Sequence, residues 1–380
     1  MFGAQQFAMF PINNLTKLMN PAWRRKASGF LFLLSLVSAP ALTFNVSYDS
    51  SVTSLSNAAQ VEAAFGVATQ TFTNLYTNNM TVNLTVYFSS SVGLGMSSYS
   101  LVGNPSYSQL TSALQAAETT SADSNAVASL PASNPIGSSV WWIPNAEAKA
   151  LTALPPPYRL APNDLGEDGA VYFASDKSYT FDPTNRAVAG KFDFIAVAEH
   201  EISEVLGRSF ALNYGINGYV PYDLFRFTNS GARSLNVNDS NVYFSVNDGV
   251  TALDYFYPDV ATGDVQDWDS GVSVDAFDAY LSSGEEAALS FADLTSLDIL
   301  GYQLNFKPPQ LQGAKLANGK FQLTFINVTG LNFSILASTN LATDISNWTV
   351  LGTPTESAAG QYQFTDPTAG SARFYRVRLN

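Results

Sequence analysis

The chain has 380 residues, of which 46% are hydrophobic and 13% charged, so it carries enough apolar material for a sizeable core and disorder is not expected. Its formal net charge of -13 argues against nucleic acid and anionic membrane surfaces as partners. It contains no cysteine, which excludes disulfides and thiolate metal sites.

Residues 1–41 have the order of a secretory signal peptide. A basic cluster at 24–26 precedes an apolar run at 29–37 that is too short to span a bilayer comfortably. Small residues at 39–41 then fit a cleavage site. We expect cleavage near Ala41 and a secreted product, extracellular or periplasmic, without a membrane span. An uncleaved N-terminal anchor is the alternative.

Periodicity predicts helices and strands in alternation through the first half of the remaining chain. The pattern gives a polar, Ser-rich lead-in over 42–56, a helix over 61–76, a strand over 82–88, a helix over 107–117, a surface loop over 119–139 and a strand over 169–173.

An apolar helix with acidic insertions is predicted over 194–206, where Gly207 is a natural stop. The segment 208–289 is rich in Gly, Asn, Asp and Tyr and predicts a long irregular region, which in compact domains is usually functional or insertional. Ser290 opens a last helix that runs to Leu300.

The pattern changes after the linker at Pro308-Pro309. Short strands separated by turn residues are typical of a small β-sandwich. They are predicted over 321–326, 332–337, 348–352, 362–365 and 374–379. The sequence thus predicts a first, larger domain over 42–306 and a C-terminal β-module over 309–380.

His200, the only histidine, lies in a constellation that suggests metal chemistry. Glu204 is one helical turn further on and projects from the same face. Glu201 follows His200 directly, where the general base of a helical zinc protease stands. Carboxylates on an apolar helix are costly unless they are paired or bind a metal, and Arg208 is the nearby alternative partner.

The segment Val197–Arg208 resembles the active-site helix of a family of secreted bacterial metalloproteases related to the metzincins, which carry His-Glu-x-x-Glu-x-x-Gly-Arg. Residues 222–227 look like the Asp-Leu-Phe-Arg segment of that family, and 289–302 resemble the closing helix of matrixin-like domains. The resemblance covers about residues 57–304. It implies an α+β fold: a metzincin-like zinc protease domain with a twisted sheet and an active-site helix, followed by the small all-β sandwich.

The third metal ligand is not evident, because Phe210 stands where a metzincin ligand would fall. The Met-turn of metzincins is also missing, since the last methionine is Met96. Asp223 is our first choice for the third ligand, with a salt bridge to Arg226 or Arg208 as its alternative role. Weaker candidates are Asp254, Asp259 and Asp264.

The expected cofactor is one zinc ion, although a site with two carboxylates also suits manganese or calcium. Asp264, Asp267 and Asp269 form an acidic loop that could hold calcium, and a solvated turn is the alternative. Tyr219 and Tyr222 are candidates to donate a hydrogen bond to an oxyanion, or they simply pack.

These observations predict a secreted, zinc-dependent endopeptidase in which Glu201 is the general base and a protein or peptide is the substrate. The alternative is a catalytically inactive extracellular protein that binds metal or acts in adhesion. In that case the C-terminal module, which resembles β-modules appended to bacterial secreted proteins, would bind a cell surface or polysaccharide.

Overall fold

Helices and strands alternate in the computed structural model, which describes residues 42–269, 274–316, 319–328, 331–343, 345–358, 360–367 and 373–380. The predicted signal peptide, residues 1–41, lies outside these residues. The mixed α+β class is confirmed. Among the described residues, no helix has the length and apolar character needed to cross a membrane.

The first half of the described chain builds the scaffold of the site. In chain order its elements are β1 Thr43–Tyr48, α1 Ser50–Thr53, α2 Ala58–Leu75, β2 Thr81–Ser89, β3 Gly95–Tyr99, β4 Leu101–Gly103, α3 Tyr107–Ala117, α4 Ser121–Ala128, β5 Trp142–Pro144, α5 Asn145–Ala150, β6 Gly169–Ala174, β7 Tyr179–Thr180, β8 Phe192–Asp193 and α6 Phe194–Val205.

Four strands form the main sheet in the order β1-β2-β6-β3. The strands β1, β2 and β6 are parallel, and β3 runs antiparallel to β6 at the edge. Helix α6 packs against α2, β3 and β6. The edge strand therefore lies directly beside the helix that carries His200.

Two predictions about this half were wrong. The lead-in over 42–56 contains β1 and α1. β1 forms because Phe44 and Val46, which are partly buried, alternate with Ser and Asn residues whose side chains remain exposed at the sheet edge. The loop over 119–139 contains α4, whose first turn is capped by the side chains of Thr120 and Asp123. Both segments are rich in small polar residues, which favoured the prediction of loops.

Helix α6 begins and ends where its sequence predicts, to within one residue. The Asp193 side chain caps it by accepting from the amides of Ile195, at 3.1 Å, and Ala196, at 3.3 Å. Arg186 holds the cap with an ion pair to Asp193 of 2.8 Å. At the other end Gly207 adopts a φ of 120°, which residues with a side chain rarely reach.

The second half is mostly irregular up to the last helix. A 3-10 helix, Pro221–Phe225, leads into a small sheet of β9 Arg226–Asn229, β10 Ala232–Arg233, β11 Tyr243–Phe244 and β12 Asp254–Tyr255, and α7 Phe291–Asp298 follows. Ser290 caps α7 as predicted. Described residues of the long segment between α6 and α7, among them Gln266 and Ala276, contact the C-terminal half of α6.

Two antiparallel sheets form the C-terminal module. Its strands are β13 Gln312–Lys315, β14 Phe321–Ile326, β15 Phe333–Ser338, β16 Thr349–Gly352, β17 Thr355–Ala358, β18 Gln361–Asp366 and β19 Phe374–Leu379. The orders are β13-β14-β18-β17 and β16-β15-β19. The Phe333 ring joins the sheets through Phe325, at 5.1 Å, and Tyr362, at 5.0 Å. The module contacts the start of α7, where the Phe291 amide donates to the Asn380 carbonyl at 2.7 Å.

Candidate metal centre

Helix α6 presents His200 and Glu204 on one face, as their spacing predicts. His200 Nε2 lies 3.6 Å from Glu204 Oε1, and both side chains are largely buried. A buried imidazole and carboxylate at this distance can share a metal ion.

Asp267 joins the pair from the irregular segment. Its Oδ1 atom lies 3.2 Å from His200 Nε2. One ligand atom each from His200, Glu204 and Asp267 can be chosen so that all lie within 4.8 Å of one another, and no other such group occurs among the described residues. The structure therefore brings together two predicted ligands and one residue that the sequence had suggested for calcium.

Asp223 is not part of this cluster, so its prediction as third ligand is corrected. It is fully buried in the 3-10 helix. Its Oδ2 accepts from the amides of Leu212, at 2.9 Å, Val220, at 3.0 Å, and Ala211, at 3.2 Å. Burial raises the pKa of Asp223 to about 6 despite these hydrogen bonds. Its carboxylate organises the loop after α6 and is already occupied.

Hydrogen bonds orient each helix ligand. His200 Nδ1 lies 3.0 Å from the Ala276 carbonyl, which can only accept, so Nδ1 carries the proton and Nε2 faces the carboxylates. One oxygen of Glu204 accepts a hydrogen bond from Ser97 Oγ and the other accepts one from Gln266 Nε2, both at 2.6 Å. Such outer hydrogen bonds fix ligand orientation in metal sites.

Arg208 connects the two carboxylates. One guanidinium nitrogen donates to Asp267 Oδ1 at 2.7 Å, and another lies 3.8 Å from Glu204 Oε1. Its Nε donates to Ser203 Oγ at 2.8 Å, and the guanidinium stacks 4.4 Å above the Phe277 ring. The residue is fully buried. It stabilises two adjacent buried carboxylates that would otherwise repel each other.

These contacts set the charge of the cluster. Burial alone would lower the pKa of His200, but the charge of Asp267 and hydrogen bonds to Asp267 and Glu204 hold it well above its usual value. Burial would raise the pKa of Glu204, but its hydrogen bond to His200 and the nearby positive charges hold it at about 2. A metal ion must therefore displace a proton from His200 to bind.

The donor set fits zinc. One imidazole nitrogen and two carboxylate oxygens are common zinc ligands, and a tetrahedral site with bonds of about 2 Å has its donor atoms roughly 3.3 Å apart. The separations of 3.2 and 3.6 Å from His200 Nε2 agree with that spacing. The three side chains form a group that could hold a divalent metal ion.

Glu201 faces the cavity beside the cluster. This cavity has a volume of about 400 Å³ and is lined by all three ligands, Glu201 and the start of β3. Glu201 is 6% exposed, and its carboxylate has no hydrogen-bond partner within the described part of the chain. It lies against Gly95, where an added Cβ would be 2.1 Å from Glu201 Oε1. Burial, then the charge of Glu204, raises the pKa of Glu201 well above its usual value.

The predicted oxyanion donors do not line the cavity. Tyr219 packs on Trp141 at 6.2 Å, and Tyr222 is buried against Phe244 and Phe256. The tyrosine that does line the cavity is Tyr280. Closeness in sequence to α6 therefore did not predict which tyrosine reaches the cavity.

The remaining acidic candidates are dispersed. Asp264 lines the cavity, Asp269 is exposed outside it, and the side chain of Asp259 caps its own turn at Ala261. Asp254 is partly buried outside the cavity. Where the chain is described, Asp264, Asp267 and Asp269 do not form a compact ligand group, so the calcium site is not supported.

Comparisons of the chain with protein-family models, with curated proteins and with solved structures gave no match.

Proposed function

We propose that this chain is a secreted zinc-dependent endopeptidase related to the metzincins. One observation carries the proposal: the buried Glu201, which has no hydrogen-bond partner among the described residues, shares a cavity with the His200, Glu204 and Asp267 cluster. A structural metal site would not need a free carboxylate beside it. Secretion rests on the signal-peptide pattern of residues 1–41.

His200, Glu204 and Asp267 would hold the metal. A bound zinc ion supplies Lewis-acid polarisation of the scissile carbonyl and acidifies water. The protein contributes fixed ligand orientation through Ser97 and Gln266, and a positive charge behind the ligands through Arg208.

Glu201 acts as general base. It accepts a proton from the attacking water and delivers it to the leaving amine nitrogen when the peptide bond breaks. Burial raises the pKa of Glu201, and a raised pKa is the direction that proton acceptance requires, because a carboxylate at its ordinary pKa is a weak base near neutral pH. Its lack of a hydrogen-bond partner leaves both oxygens available to substrate and water.

The edge strand β3 supports binding of an extended peptide. Among the described residues, β3 is the edge strand of the main sheet and pairs there only with β6, so its other side offers backbone groups for strand addition. Gly95 and Met96 at the start of β3 line the cavity. A peptide hydrogen-bonded along β3 would thus pass over Glu201, with its side chains alternating into and out of the cavity.

The test combines metal analysis with peptide cleavage. The purified wild-type chain should contain one zinc per molecule, and His200→Ala should contain none. Glu201→Gln should keep the metal and lose cleavage of a quenched-fluorescent peptide library by at least about 100-fold. Glu167→Gln, at an exposed acid outside the cavity, is the control and should match wild type. A wild type without stoichiometric metal, or a Glu201→Gln variant with full activity, would overturn the proposal.

A second candidate function is adhesion through the C-terminal module. A cleft of about 960 Å³ is lined by amide side chains, among them Gln310, Gln312, Asn327, Gln361 and Gln363. Amides hydrogen-bond well to neutral sugars. Polysaccharide pull-down by the full chain, abolished in Gln312→Ala/Gln363→Ala and accompanied by no peptide cleavage, would favour this function over proteolysis.

A further inference from the structure

The cavity beside the metal cluster is strongly acidic. Six carboxylates line it, whereas Lys177 is its only lysine or arginine among the described residues. Glu204 and Asp267 are offset by Arg208 and would be offset further by a metal ion. Besides Glu201 on α6, the remaining acids that line the cavity come from the irregular segments around Asp264 and Asp278.

Asp278 is the buried acid of that wall. It is 9% exposed, and its Oδ2 accepts from the Asp275 amide at 3.0 Å. Its other oxygen has no hydrogen-bond partner in the described ranges, although the side chain lines the cavity. Asp275 differs, because its Oδ1 accepts from the Phe277 amide at 2.8 Å and its carboxyl group also hydrogen-bonds with the side chains of Asp293 and Ser290.

A buried carboxylate oxygen without a partner is costly unless a cation meets it. In the free protein, burial and the charges of Asp275 and Asp254 raise the pKa of Asp278 to about 8, while His200 acts in the opposite direction. The raised pKa means that Asp278 holds a proton where a cation could otherwise balance its charge. Asp264, which is exposed, adds a second negative charge in the same cavity.

The rest of the cavity suits a long aliphatic stem. Apolar residues from α6, from the strand before it and from the segment around Asp278 line the cavity, among them Phe192, Val197, Ala279 and Leu281. Lysine and arginine bury their methylene stems along such surfaces while the charged end meets a carboxylate.

We infer that this cavity selects a lysine or arginine side chain of the substrate, with its cationic end at Asp278 and its stem between Val197 and Leu281. This inference rests on the proposed function, since it assigns the substrate class of the same site. A second divalent ion is the competing occupant. It is disfavoured because the three-ligand group at His200 is the one compact set of ligands in the described chain.

Binding is measured separately from cleavage, so that the two proposals can fail independently. The protein is the zinc-loaded full chain carrying Glu201→Gln. The probes are fluorescent alanine hexapeptides that carry either lysine or norleucine at one position, which is scanned along the peptide. Norleucine has the lysine stem without the charge. Fluorescence anisotropy gives Kd for each member of the pair.

At one position of the scan, the lysine peptide should bind at least about ten-fold tighter than its norleucine partner. Adding Asp278→Asn should remove the preference, Asp264→Asn should reduce it, and Glu167→Gln should leave it unchanged. The preference should also grow from pH 6 to pH 9 as Asp278 loses its proton, a trend that Asp278→Asn would lack. Thermal melting of each variant verifies folding.

Equal Kd values for lysine and norleucine at every position, or a preference that survives Asp278→Asn in a folded protein, would overturn the inference. So would stoichiometric binding of calcium that is lost with Asp278→Asn, because the cavity would then hold an ion. A lysine preference in binding, together with a wild type that cleaves no peptide, would uphold this inference and refute the proposed protease.

Discussion

Gly95→Ala should disable the proposed general base without touching a metal ligand. A Cβ at Gly95 would lie 2.1 Å from Glu201 Oε1, 2.8 Å from its Cδ and 2.9 Å from Val197 Cγ1. Ordinary contact between such atoms begins at about 3.5 Å, so the Glu201 carboxylate oxygen must move by more than about 1 Å. A displacement of that size at a reacting group costs on the order of 100-fold in rate.

Gly93→Ala is the matched control. Gly93 lines the same cavity two residues earlier, yet an added Cβ there meets nothing within 4 Å. We expect kcat for a quenched-fluorescent peptide to fall about 100-fold in Gly95→Ala and to stay at the wild-type value in Gly93→Ala. Zinc content, measured by mass spectrometry, should be unchanged in both. Equal activity of the two variants would show that the position of Glu201 does not govern the reaction.

Three further predictions concern the ligands and the core. Asp267→Asn should weaken zinc binding by at least about 100-fold, seen by competition with a chelating dye; an unchanged affinity would remove Asp267 from the site. Asp223→Ala should keep zinc binding but lower the free energy of unfolding by about 3 kcal/mol in urea, because three buried amides lose their acceptor; loss of zinc with a normal unfolding curve would restore Asp223 as ligand. Glu147 is fully buried, neither of its oxygens has a hydrogen-bond partner in the described part of the chain, and burial raises its pKa well above the usual value. The folded protein therefore binds this proton more tightly than the unfolded chain, so stability falls as pH rises from about 4.5. Glu147→Gln should match wild type at pH 4 and exceed it by more than about 1 kcal/mol at pH 8, and parallel stability curves would contradict this explanation.

Local signals predicted much of the fold. The 3.6-residue period and the stop at Gly207 gave α6, and alternation gave β2. The pattern of short strands gave five of the described C-terminal strands and missed β13 and β17. β1 and α4 were missed, because their Ser, Thr and Asn residues favour turns as readily as regular structure. Pairing with β2 and packing against α7 decided these elements, and neither contact is visible in a short window of sequence.

The candidate site also contains residues that local sequence predicts and one that only the tertiary fold supplies. His200, Glu201 and Glu204 follow from one helical turn, whereas Asp267 reaches them across more than sixty residues of irregular chain. Asp223 had a signal for its true role: it stands three residues after Val220, the position from which an acid caps its own turn. Asp267 lies between the buried residues Gln266 and Trp268, a setting that favours a buried role over a calcium loop on the surface.

Arg208 changes what the ligand set implies about chemistry. One imidazole and two carboxylates offset the full charge of a divalent ion, and the sequence alone therefore predicts weak activation of water. Yet the Asp267 oxygen nearest His200 is the same oxygen that accepts from Arg208. A carboxylate oxygen that shares its electron density with a guanidinium is a weaker donor to a metal, and the buried positive charge remains in the site. The guanidinium thus acts in the direction that three neutral imidazoles would, by leaving net positive charge beside the cavity where negative charge would develop during peptide hydrolysis.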